Sequence, residues 1–191
     1  FNQEIIFSCD SLETLIFGNS FNQPVADKLP KNLKKLVFKT NFNQELIDLP
    51  ESLVSLYLYS SHFDKSLDYL PNNLNILCLG SNYNIPITKY PNELTHLYLS
   101  HNYNQNIDNL PDSLVYLQLG NEFNTPINKY PINLLEIYFG HKFNQPIDNF
   151  TDYNQELKKL TGDLNSIEAK ITLAKFLKHN IGFTFKLFSG M

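Results

Sequence analysis

Residues 83–102 read Tyr83-Asn84-Ile85-Pro86-Ile87-Thr88-Lys89-Tyr90-Pro91-Asn92-Glu93-Leu94-Thr95-His96-Leu97-Tyr98-Leu99-Ser100-His101-Asn102, and the phrase restarts as Tyr103-Asn104-Gln105. Two patterns share this stretch. An aromatic followed by Asn opens it, and Leu-x-x-Leu-x-Leu closes it. The last two leucines, Leu97 and Leu99, stand two apart, which is the strand period, so they face the same way. Pro91 has no N–H to offer a ladder and belongs in the turn that leads into the strand. About eight residues between opener and Pro leave room for turns, extended chain or one turn of 3₁₀-helix, and not for a long helix.

Outward from this unit the phrase recurs in both directions. Phe1, Phe21, Phe42 and Phe63 open earlier units, and Phe123 and Phe143 open later ones, at spacings of 20 or 21 residues. A fixed period in this range is the signature of a solenoid, whose coils cannot bury their apolar faces alone and do so against their neighbours. The closing phrase is Leu33-Leu36-Phe38, Leu53-Leu56-Leu58, Leu74-Leu77-Leu79, Leu114-Leu117-Leu119 and Leu134-Ile137-Phe139 in the other coils, with Leu12-Leu15-Phe17 at the start. Stacking these short strands gives a parallel sheet along one face. The expected fold is a leucine-rich-repeat-like solenoid with strands on the concave face and turns or short 3₁₀ segments on the convex one. Two coils carry one extra residue, one between Phe21 and Leu33 and one around Ser60-Ser61-His62, which loops absorb cheaply.

The sequence contains 25 Asn, and many sit in one column. The residue after the opener is Asn22, Asn43, Asn84, Asn104, Asn124 or Asn144, with Asp64 as the exception. A short amide can donate and accept, so the column reads as a buried ladder that satisfies turn amides of adjacent coils. The rival reading is a row of surface Asn produced by codon bias. Asp48, Asp68, Asp108 and Asp148 recur in turns, and this repetition argues for capping rather than a unique catalytic pair.

The unit Phe-Asn-Gln-Pro-Ile followed by Leu-Pro-x-x-Leu-x-x-Leu-x-Leu resembles the FNIP repeat, a short leucine-rich repeat of social amoebae and of giant viruses that infect amoebae. Tyr83-Asn84-Ile85-Pro86 is the nearest single copy of its name. The resemblance covers residues 1–150. Residues 151–191 depart from it and read as a carboxy-terminal cap, with a helix around 166–179 started by Asn165 and Glu168. Phe183, Phe185 and Leu187 alternate as in a last strand. The chain starts inside a repeat phrase, so further sequence is expected upstream of Phe1. Some members of the family carry an F-box-like segment there, which would make the module the substrate receptor of a ubiquitin ligase. Two cysteines on different coils, with no disulfide framework, favour a reducing compartment, so the expected location is intracellular, in the host cytoplasm if viral.

Composition excludes several function classes. Net charge is −4 with 15 Lys and Arg spread over the coils, which gives no phosphate-binding stripe. Cys9 and Cys78 lie on different coils and form neither a disulfide framework nor a zinc pattern. No apolar run is long enough to span a membrane. His62, His96, His101, His141 and His179 show no metal spacing, and there is neither a nucleophile elbow nor a phosphate loop. The expectation is a monomeric, non-catalytic module without metal or cofactor.

The remaining signal is the face of the strands that points away from the core. It carries Tyr57, Tyr59, His96, Tyr98, Tyr116, Gln118 and Tyr138, and also Ser55, Ile76, Cys78, Gly80, Ser100, Gly120, Glu136 and Gly140. Tyr57, Tyr98 and Tyr138 repeat at one strand position in alternate coils, roughly 10 Å apart. Tyrosine joins a rigid apolar ring to a polar tip, which suits a protein interface. These residues are the expected contact surface for a protein or peptide. Tyr is also a good strand former that simply covers a sheet. The alternative function is a structural or assembly scaffold.

Overall fold

The computed structural model describes residues 1–8, 10–147 and the backbone of 184–187. Cys9, Asp148, His179, the helix around 166–179 and the cap apart from the backbone of 184–187 lie outside the described residues. One strand comes from each coil: β1 (Thr14–Ile16), β2 (Lys35–Phe38), β3 (Ser55–Leu58), β4 (Ile76–Leu79), β5 (His96–Tyr98), β6 (Tyr116–Gln118) and β7 (Glu136–Phe139). The last strand, β8 (Thr184–Leu187), pairs with β7, and all eight run parallel in chain order. The register places Leu15, Leu36, Leu56, Leu77, Leu97, Leu117 and Ile137 in one row. A one-residue slip would turn that whole row out of the core, so the leucine phrase fixes the pairing.

Two tight turns recur along the stack. The Pro carbonyl accepts from the amide three residues on, as in Leu94 N to Pro91 O at 3.2 Å and Leu114 N to Pro111 O at 3.1 Å. A second turn closes just before the opener, as in Tyr103 N to Ser100 O at 3.2 Å and Phe123 N to Gly120 O at 3.1 Å. Both leave the Pro nitrogen out of any ladder, where its missing donor costs nothing. Between openers and Pro the described chain forms turns and extended backbone, with no helix. The extra residue of the second coil falls beside Asp27, whose φ is 55°. Aspartate tolerates this left-handed conformation better than most residues. The other extra residue is tied down by Ser60, whose hydroxyl donates to the Thr40 carbonyl at 2.9 Å and accepts from the His62 amide at 3.2 Å.

The openers stack behind the sheet. Ring centroids are 6.2 Å apart for Phe1–Phe21 and Phe21–Phe42, 6.1 Å for Phe42–Phe63, 5.8 Å for Phe63–Tyr83 and 6.3 Å for Tyr83–Tyr103. Parallel strands repeat every ~4.8 Å. Each coil is therefore wider at its aromatic side than at its strand, and the stack curves with the sheet on the inner, concave face.

The Asn column differs from the expected buried ladder. Asn84, Asn104, Asn124 and Asn144 are exposed, and Asn22 and Asn43 are half-buried. The opener ring points inward and side chains alternate, so the next residue points out. The ladder itself forms at the surface. Each amide oxygen accepts from the backbone N–H one coil later: Asn43 N to Asn22 Oδ1 at 2.8 Å, Asp64 N to Asn43 Oδ1 at 3.1 Å, Asn104 N to Asn84 Oδ1 at 2.9 Å, Asn124 N to Asn104 Oδ1 at 2.8 Å and Asn144 N to Asn124 Oδ1 at 2.8 Å. Asp64 also pairs with Lys65 at 2.8 Å, which holds its carboxyl below the ordinary range.

A carboxylate version of the same joint occurs on the next turn. Asp68 Oδ1 accepts from Thr88 N at 2.7 Å and Lys89 N at 3.1 Å. Asp108 Oδ1 accepts from Asn128 N at 2.7 Å and Lys129 N at 3.3 Å. Partial burial pushes both carboxyls up, but these donors outweigh it and hold both below the usual carboxylate value.

Candidate interaction surface

The concave face consists of two columns of side chains, fixed by the strand register. One holds Lys35, Ser55, Ile76, His96, Tyr116 and Glu136, and the other holds Val37, Tyr57, Cys78, Tyr98, Gln118 and Tyr138. Val37 is buried. Tyr57, His96, Tyr98, Tyr116, Gln118 and Tyr138 are half-buried, and Tyr59, just past β3, is 52% exposed. All seven expected surface residues thus lie on this face and present some area to solvent.

Four expected neighbours do not. Gly80, Ser100, Gly120 and Gly140 follow the last inward residue of each strand, where alternation predicts outward side chains, yet all four are buried. The chain turns there, ending the two-residue alternation and bringing successive backbones together. A Cβ on Gly120 would stand 1.9 Å from the Ser100 carbonyl oxygen, and one on Gly80 2.1 Å from that of Ser60. Ser100 fits by donating its hydroxyl to the Tyr83 carbonyl.

The tyrosines are closer than their alternate-coil spacing suggested. Tyr116 belongs to the His96 column but leans across the strand, so its ring lies 5.0 Å from Tyr98 and 5.1 Å from Tyr138. Its hydroxyl donates to Gln118 Oε1 at 3.5 Å, and its other neighbour is His96, stacked at 5.7 Å. The short Gln118 between two tyrosines makes the space that Tyr116 fills. Cys78 leaves a similar gap between Tyr57 and Tyr98. There the half-buried Cys78 lies beside Tyr59, whose ring packs 5.8 Å from Tyr57.

Burial, with neighbouring phenols and Cys78 adding to it, pushes Tyr59 and Tyr98 above the ordinary phenol value. Burial pushes Tyr116 up further, with Tyr138 and Tyr98 adding to it. It also raises Cys78. These groups therefore remain neutral hydroxyls and thiol at neutral pH, able to donate. Among the described side chains, charge enters these two columns at the two ends only. Lys35 Nζ stands over the Tyr57 ring at 5.1 Å, and Tyr138 donates to Glu136 Oε2 at 3.2 Å. Among the described residues no group of His, Cys, Asp or Glu could hold a metal ion, and no helix is long and apolar enough to cross a membrane. His101 lies on the turn beyond the sheet, 3.9 Å from Glu122, away from the aromatic face.

A parallel sheet of one short strand per coil, with turns on the other side, defines a leucine-rich-repeat-like solenoid, a kind of fold whose concave surfaces commonly serve as protein-binding scaffolds. The FNIP Repeat family matches residues 1–38, 21–61, 90–122 and 103–132, and the chain belongs to that family. It is also similar to a solved structure described as "CroV588 a novel circular LRR protein structure", at 35% identity and a TM-score of 0.66. That match covers 76% of this chain and 26% of the other, so the chain spans about a quarter of that relative's length. No curated protein matches the chain.

Proposed function

We propose that the chain is a non-catalytic interaction module that binds a protein or peptide on the concave face of its sheet. The observation that carries this is a row of aromatic side chains in two contacting groups, Tyr57 with exposed Tyr59 and, across Cys78, Tyr98 with Tyr116 and Tyr138, with ring contacts of 5.0 to 5.8 Å within each group. Rings that pack against one another are already ordered, so contact with a partner requires little further loss of side-chain entropy. Their hydroxyls supply directional polar contacts within an otherwise apolar surface. Cores of protein interfaces are enriched in such residues and depleted in charge, as this face is. A nucleic-acid backbone would instead require clustered cations.

The test is capture of a protein partner from a matching host lysate, followed by the double substitution Tyr57→Ala and Tyr98→Ala. Loss of affinity by about tenfold or more with an unchanged urea midpoint is the expected result, as for hot-spot residues. Undiminished affinity moves the binding site off this face.

An assembly scaffold is the second reading, favoured by the resemblance to a protein described as circular. It places the contacts at coil ends and on the convex side. Light scattering over a concentration series separates the two, because a mass that stays monomeric excludes self-assembly. A receptor role in ubiquitin ligation would need an F-box joined upstream of the coils, and sequence upstream of Phe1 tests it.

A further inference from the structure

We infer that the occupant of the concave face is a proline-rich segment in the left-handed polyproline II conformation, laid across the strands with one turn for every two coils. This rests on the concave-face reading above and names its ligand class. Tyr57, Tyr98 and Tyr138 hold one strand position on β3, β5 and β7. Two parallel-strand spacings amount to ~9.6 Å. The contacts of Tyr116 with Tyr98 and Tyr138, at 5.0 and 5.1 Å, limit those outer rings to about 10 Å apart.

A polyproline II helix rises ~3.1 Å per residue with three residues per turn, so like-facing residues recur every ~9.3 Å. Positions i, i+3 and i+6 of such a peptide would therefore meet the three tyrosines in step. The alternatives fit less well. An extended strand repeats every ~6.7 Å on one side, which does not divide the tyrosine spacing. An α-helix returns to one side after seven residues at ~10.5 Å, beyond the ring separation, and its carbonyls are already occupied. A polyproline II segment leaves its carbonyls free, and aromatic grooves that recognise it supply donors to them. The Tyr98 hydroxyl, at the centre of the row, is such a donor, and its raised value keeps it protonated, whereas Tyr116 and Tyr138 already donate to Gln118 and Glu136 and offer their rings.

Charge sets the ends. No carboxylate or ammonium group intervenes in the two columns between Lys35 and Glu136. These residues are five strands apart, ~24 Å, and eight polyproline II residues span ~25 Å. The complementary ligand is thus a neutral proline run of about eight residues with an acidic residue at the Lys35 end and a basic one at the Glu136 end.

The probe is a decapeptide of acetylated glutamate, eight prolines and amidated arginine, titrated into the full chain with isotope-labelled tyrosine rings. The control replaces every L-proline by D-proline, which keeps composition and reverses handedness. Saturable shifts of the Tyr57, Tyr98 and Tyr138 rings with the L-peptide, at least about tenfold weaker with the D-peptide and with Tyr98→Ala, are expected. Lys35→Glu should weaken the L-peptide several-fold. Equal binding of both hands, shifts confined to other surfaces, or no saturable shift overturns the assignment. If no shift occurs while Tyr57→Ala with Tyr98→Ala still abolishes capture of a protein partner, the concave-face reading stands and only the polyproline ligand falls. If capture is also unaffected, both fall.

Discussion

Gly18 and Gly120 both follow the closing phrase of a coil, yet the same substitution should affect them in opposite directions. An added Cβ at Gly18 meets nothing within 4 Å. Alanine there narrows the conformations of the unfolded chain, and Gly18→Ala is expected to stabilise by about 0.4–1 kcal/mol. At Gly120 the Cβ would stand 1.9 Å from the Ser100 carbonyl oxygen and 2.8 Å from that of His101. Both obstacles are backbone atoms of the preceding coil, so no side-chain rotation relieves them. Ser100 is itself buried and hydrogen-bonded, which leaves a shift of the coil as the only response. Overpacking of this kind costs about 1–3 kcal/mol, and the backbone contact puts Gly120→Ala at the upper end or beyond. The two variants should therefore differ by about 2–4 kcal/mol. Urea unfolding followed by circular dichroism measures this. With slopes of ~1–3 kcal/mol per molar urea, the midpoints should separate by about 0.7 M or more. Coincident midpoints would refute the close approach of coils at Gly120.

The surface position of the Asn ladder sets a modest cost for its loss. Asn104→Leu removes the acceptor of the Asn124 amide, which water can partly replace, so a loss of about 0.5–1.5 kcal/mol is expected; an unchanged midpoint would show that the ladder contributes nothing. Leu97→Ala, at a fully buried site, should cost about 2–5 kcal/mol in the same assay, and a loss below that range would mean that neighbouring coils collapse into the space. The carboxylates at Asp68 and Asp108 are held below their usual range in the fold, so their contribution is present above the unfolded value of about 3.9 and is lost as pH falls through the folded value. The wild-type midpoint should therefore exceed that of the double variant Asp68→Asn and Asp108→Asn at neutral pH and converge with it in acid; a gap that persists in strong acid would contradict this.

Everything facing the core was legible from the repeat. Leu97, Leu117 and Tyr103 occupy columns whose residue types hardly vary, and burial follows directly from that pattern. Outward positions were harder to read. Asn104 was expected inside because it adjoins a large aromatic, but alternation past Tyr103 turns it out, and Asn recurs in its column, Asp64 excepted, because the surface backbone joint uses the same acceptor from coil to coil. Gly120 and Ser100 were expected outside because strand alternation was extended past the point where the chain turns. The lean of Tyr116 over Gln118 depends on side-chain volumes in neighbouring strands, which no single-coil pattern records. The two-coil recurrence of Tyr57, Tyr98 and Tyr138 was the visible trace of the aromatic strip.

The joints between coils are chemically alike, since the amide oxygen of one opener phrase accepts the backbone N–H of the next wherever the ladder forms. An in-frame duplication or loss of a single coil in the gene would leave joints of the same kind and hence a foldable protein. The tyrosine column tells two kinds of coil apart, those that carry a ring and those that carry Cys78 or Gln118. Copying one coil would put this alternation out of phase, whereas copying a pair would lengthen the aromatic strip and keep its rhythm. Selection for folding alone would accept either event, and selection for the concave surface would favour gains and losses by twos.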